Sequence, residues 1–168
     1  MGSPNHYAGR AGQIPIALVI HTMAGTLDGC DSWFQNPASQ VSAHYGAGLD
    51  GRLHQYVDLA NGSWANGILE AGNSWHLIGP PGVNPNYCTV TVETEDRGNP
   101  NQAVTQEEYD ATKSACLYGL EKYPSIRYLI THTVISPQSR PQCCGSRWIS
   151  PGHFQRLADE LGLEAWTH

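Results

Sequence analysis

An α/β fold, a single domain with a central mixed β-sheet flanked by helices, is what this chain of 168 residues predicts. Three observations lead there. The runs Ile16-Ala17-Leu18-Val19-Ile20 and Tyr128-Leu129-Ile130-Thr131 are short, apolar and rich in Ile, Leu and Val, as buried strands are. The segment Thr89-Val90-Thr91-Val92-Glu93-Thr94 alternates with the period of two that a strand requires. Segments with helical spacing lie between and after these runs, the interleaving of a sheet covered by helices.

Taken in order, residues 1–12 read as a flexible or peripheral arm or a tag remnant, and residues 13–168 as the folded domain. The first strand, residues 16–20, leads through a polar turn into a short helix around residues 27–34. Residues 42–48 and 52–57 flank Leu49-Asp50-Gly51, and an Asp-Gly turn between two strand-like runs signals a hairpin. Residues 61–86 are rich in turns and carry Trp64, Trp75 and His76, which suits a long binding loop with a short helix. Thr105 and Glu108 stand at capping-box spacing, after which Tyr109, Thr112, Cys116, Leu117 and Leu120 recur along one helix. Pro151 opens a last helix with Phe154, Leu157, Ala158 and Leu161 on one face, and the chain is expected to end on it.

At this length about 70% of the unfolded surface can be buried, so a core forms without disulfide staples. The net charge is −6, and no cluster of Lys or Arg exists to displace counterions from a phosphate backbone, which argues against nucleic acid as a partner. No apolar stretch approaches the ~20 residues of a membrane span. The N-terminus lacks the basic and apolar blocks of a secretory signal. Five cysteines, an odd number, fit a metal thiolate plus buried thiols better than a disulfide framework, with a bridge among Cys30, Cys88 and Cys116 left open.

Two histidines stand out among eight because each closes an apolar strand: His21 ends the first and His132 the last. Cys143 and Cys144 follow in a turn-rich segment. The carboxyl ends of strands in an open α/β sheet are where such folds place their chemistry. Two imidazoles and one thiolate make a three-ligand zinc site that keeps one position open, the pattern of a catalytic and not a structural zinc. Either cysteine could fill the third place, since neighbours on an extended segment point in different directions.

These residues, together with Val19-Ile20-His21-Thr22, Val41-Ser42-Ala43-His44-Tyr45 with Asp50-Gly51 and Gln55, Trp64-Ala65-Asn66-Gly67, Val90-Thr91-Val92-Glu93 and the stretch from His132 to Gly145, stand in family order. The chain resembles the zinc-dependent N-acetylmuramoyl-L-alanine amidases of the phage-lysozyme and peptidoglycan-recognition-protein superfamily. The resemblance implies one zinc per chain on His21, His132 and Cys143. Cys144 stands where the family has Pro, and Gly145 fixes the register. It implies bacterial peptidoglycan as partner and substrate, cleaved between N-acetylmuramic acid and the L-alanine of the stem peptide, by a monomeric catalytic domain over residues 13–168.

The resemblance also assigns roles. Zinc lowers the pKa of a bound water to roughly 7, and Glu93 is the candidate to take and deliver the proton. Arg140 stands one residue from the family's usual cationic position, which Pro141 occupies, and either reaches the site or is a loop charge. Ala43 stands where some relatives carry a catalytic Tyr, which places the weight on Glu93. His44, Trp64 and Asn66 are candidate groove residues, with a core role open for His44, an anchoring role for Trp64, and Asn66 standing where many relatives have His. The implied setting is an endolysin made without a signal peptide in a host cytoplasm and acting on the cell wall, or secretion by another route. A non-catalytic peptidoglycan-binding module and a thiol hydrolase using Cys143 or Cys144 with His132 are the competing functions.

Overall fold

The computed structural model describes residues 2–168. In chain order its strands are β1 (His6–Tyr7), β2 (Ala17–Thr22), β3 (Tyr45–Ala47), β4 (Leu53–Gln55), β5 (Gly62–Ser63), β6 (Thr89–Thr94), β7 (Tyr128–Thr131) and β8 (Glu164–Trp166). The helices are α1 (Leu27–Gln35), α2 (Pro85–Cys88), α3 (Gln106–Lys122), α4 (Ser146–Ile149) and α5 (His153–Leu161). Six strands form one mixed sheet in the order β4-β3-β6-β2-β7-β8, while β1 and β5 make a separate two-stranded ribbon.

Strand β2 lies at the centre, parallel to β6 on one side and β7 on the other. A strand covered on both faces must be apolar throughout, which is why residues 17–20 are all fully buried. Leu18 and Ile20 pack with Val90, Val92, Leu129, Tyr109, Cys116 and Phe154 on the face covered by α3 and α5. Ala17 and Val19 face the other way, toward Trp75, Ile130, Val134 and Ile135. The hairpin β3–β4 pairs antiparallel across the Asp-Gly turn. Helix α3 begins at the expected cap, where the Thr105 hydroxyl accepts from the Glu108 N–H at 3.0 Å. Because β2, β6 and β7 run parallel, their carboxyl ends meet along one edge of the sheet.

Three features differ from expectation. The first is the N-terminal arm, which packs into the domain. Asn5 and Arg10 are buried; the Asn5 amide donates to the carbonyls of Asn36 and Val41, and the Arg10 guanidinium to those of Leu59, Tyr87 and Thr89. The carbonyls of Leu59 and Thr89, closed off from water, need donors, and a polar arm supplies them, which hydropathy alone does not reveal. Second, the chain ends in a strand: β8 follows the last helix and pairs parallel with β7. Third, α4 lies between the Cys143 loop and α5, and α5 starts at His153 after Gly152 in the left-handed conformation. All five cysteines are free thiols.

Candidate metal centre and groove

His21 is the fifth residue of β2, on the face of Ala17 and Val19, and His132 directly follows β7. Cys143 arrives on the loop before α4. One ligand atom from each of these three residues lies within 4.8 Å of the other two, and among the described residues no other group of three or more His, Cys, Asp or Glu is gathered in this way. The imidazole rings of His21 and His132 are 4.4 Å apart. A tetrahedral zinc with bonds of 2.0–2.3 Å sets its ligand atoms about 3.5 Å apart, so the three side chains need only small adjustments.

The surroundings suit a dication. Burial, followed by the neighbouring His132, holds His21 well below the ordinary histidine pKa, and burial brings His132 down to about 4. Both rings are therefore neutral at pH 7, the state a ligand needs. His21 Nε2 is buried without a hydrogen-bond partner. The His132 ring meets the Asn66 carbonyl through Nε2 at 3.0 Å. Donation there leaves Nδ1 as the lone-pair nitrogen, the arrangement by which an outer carbonyl orients a metal-binding imidazole. Burial raises the Cys143 thiol to about 12, so no free thiolate stands ready at neutral pH; a cation would be needed to draw off its proton. A buried orphan nitrogen, two neutral imidazoles and a thiol fit zinc.

Glu93 pairs in register with His21, and its Oε1 lies 3.9 Å from His21 Nδ1. Burial, then the nearby Asp96, lifts its carboxyl to about 8. Arg140 is exposed at the rim; its Nη1 donates to the Ser139 carbonyl, and its charge acts on Glu93, His21, His132 and Cys143. The centre opens into a groove of about 1350 Å³ whose lining includes His21, Glu93, His132, Arg140 and Cys143. Trp64 also lines it, half-buried, edge-on to Tyr7 at 5.7 Å.

Two candidates lie elsewhere. His44 is fully buried and is not part of the groove lining; its ring is held between Thr91, the Asn61 carbonyl and Arg10. Asn66 is also fully buried, with its amide on Thr89 and its carbonyl on His132 and Ser136. His44, just before β3, and Asn66, in the turn after Trp64, both have their side chains behind the wall, outside the groove lining. Nothing local marks Trp33, which lines the groove from α1 with 56% of its surface exposed. An exposed Trp on a short helix resembles any surface residue until the groove is seen.

Comparison with known proteins shows the family to which the chain belongs. The sequence profile of a family described as N-acetylmuramoyl-L-alanine amidase matches residues 11–152. N-acetylmuramoyl-L-alanine amidase A of Achromobacter lyticus is 32% identical over 154 residues, covering 88% of this chain and 67% of that protein. Among solved structures, the selenomethionine derivative of AmpD superposes with a TM-score of 0.73 at 21% identity, covering 94% of this chain and 92% of AmpD. AmpDh3 of Pseudomonas aeruginosa, in complex with an anhydromuramic pentapeptide, gives 0.66 at 18%, covering 95% and 63%. With a profile match across most of its length and a relative above 30% identity, the chain belongs to the N-acetylmuramoyl-L-alanine amidase family.

Proposed function

We propose that this protein is a zinc-dependent amidase that cleaves peptidoglycan between N-acetylmuramic acid and the L-alanine of the stem peptide. The observation that carries the proposal is the convergence of His21, His132 and Cys143, from three distant segments, at the floor of an open groove. These residues would hold one zinc, which when bound supplies Lewis acidity toward a carbonyl oxygen and a water molecule. The groove orients the muropeptide so that the scissile amide lies over that floor. Glu93, beside His21, takes a proton from water and delivers it to the departing amine; a carboxyl raised toward neutrality is suited to both halves of that task. Arg140 at the rim stabilises negative charge developing on the carbonyl oxygen. Trp64 offers an aromatic face to a sugar ring. The raised pKa of Cys143 disfavours the thiol-hydrolase alternative.

The test is digestion of purified cell wall by zinc-loaded protein, with mass spectrometry of the soluble products. Peptides with a free N-terminal alanine are expected, and His21→Ala abolishes their release. Unchanged release by that variant overturns the proposal, as does wall binding without any release.

A further inference from the structure

The ligands His21 and Cys143 are 122 residues apart in the chain, and something has to set their spacing. Two threonines occupy that junction. Thr22 and Thr94 are register partners at the ends of β2 and β6, each directly following His21 or Glu93. The Thr22 hydroxyl donates to the Cys144 carbonyl at 2.7 Å, pinning the peptide next to Cys143 to the strand that carries His21. The Thr94 hydroxyl donates to the His21 carbonyl at 2.7 Å. Its oxygen accepts from Arg147 Nη1 at 3.2 Å and from Trp148 Nε1 at 3.1 Å, both on α4 directly after the Cys143 loop. One donated and two accepted bonds use the full capacity of a hydroxyl, and Thr94 is completely buried. Arg147 is in turn fixed by Glu108 of α3 and by the Gln102 carbonyl.

We propose that Thr22 and Thr94 are positioning residues that hold the Cys143 loop at the distance from His21 at which one metal ion is captured. The inference rests on the metal-centre reading above. A valine at either position keeps the shape and removes the hydroxyl, so the β2–α4 connection loses its polar ties while the packing stays. Groups that orient metal ligands from behind typically change affinity 10–100-fold when removed.

Three readouts on the full chain, stripped of metal, test it. Zinc affinity is measured by competition with a chelating dye, Co2+ loading by the absorption of the cobalt–thiolate bond, and metal-free stability by urea unfolding. Thr94→Val and Thr22→Val should each weaken zinc binding 10–100-fold and diminish the cobalt–thiolate band. Thr94→Ser and Thr22→Ser, which restore the hydroxyl, should return affinity to within about threefold of the unaltered chain. Valine variants with unaltered affinity and band overturn the proposal. So does a fall in metal-free stability with affinity unchanged, which marks a purely structural role. If Thr94→Val does not fold, Thr22→Val decides, because Thr22 is only half-buried at the sheet's edge. An unaltered chain that takes up no zinc defeats the metal-centre reading itself, a separate outcome.

Discussion

Glu93 is the residue on which the proposed chemistry turns, and its environment explains why. On a bare surface a carboxylate is fully ionised at neutral pH and a poor proton donor. Burial beside His21 moves Glu93 to about 8, within reach of both protonation states. Glu93→Gln keeps the size and removes the exchangeable proton. It should lower kcat by 10²–10⁴ with zinc content by metal analysis unchanged. Full activity in Glu93→Gln assigns the proton transfer to another group. Its position was legible in sequence, since the Thr89, Thr91, Glu93 alternation puts it on one face of a strand. Whether that face held the site was not, because alternation fixes the side of a strand and not what packs there.

At the scale of elements, the link between α3 and α4 has the largest energetic leverage. Glu108 and Arg147 form an ion pair with both side chains almost wholly buried. Breaking such a buried pair costs about 3–5 kcal/mol, because Glu108, whose carboxyl burial already raises to about 7, must then take up a proton or stay as an unpaired charge. Arg147→Met should therefore lower the urea midpoint sharply, while Arg147→Met with Glu108→Leu recovers most of the loss. A single variant as stable as the unaltered chain shows that water or another group compensates Glu108. Helix α3 offers a milder case. Thr105 caps it and also donates to the Leu49 carbonyl at 2.6 Å, so Thr105→Ala should cost about 1–2 kcal/mol in the same experiment. Capping spacing marks Thr105 in the sequence, whereas nothing local marks Arg147. Local geometry writes caps into neighbouring residues; a pair formed across 39 residues leaves no local mark.

Acid acts on the whole molecule through its buried titratable groups. His44 is held near pKa 3, first by burial and then by the Arg10 charge, against an unfolded value of about 6.5. Below pH 6.5 the unfolded chain binds a proton that the folded chain refuses, so stability present at pH 7 and above drains away as pH falls toward 3. The slope is about 1.4 kcal/mol per pH unit for one such group. His132, lowered to about 4, contributes in the same direction in metal-free protein. The buried carboxyls of Glu93 and Glu108, raised to about 8 and 7, act in the opposite direction, so the His44 contribution is read as a difference. In urea unfolding of metal-free protein between pH 6.5 and 4.5, the slopes of the unaltered chain and His44→Gln should differ by close to one proton. Identical slopes place His44 in contact with water.

The central strands, the main helices, the hairpin and the two strand-closing histidines could be read from the sequence, because each is a local pattern: a run, a period, a cap, a histidine closing a strand. Tertiary structure alone decided that Ser3, Asn5 and Arg10 of the polar arm are buried, that His44 and Asn66 stand behind the wall, that Trp33 faces the groove, and that two threonines tie His21 to the Cys143 loop. Those facts depend on hydrogen bonds and burial between segments far apart in the chain, and a buried polar group announces its partner only when both are in place.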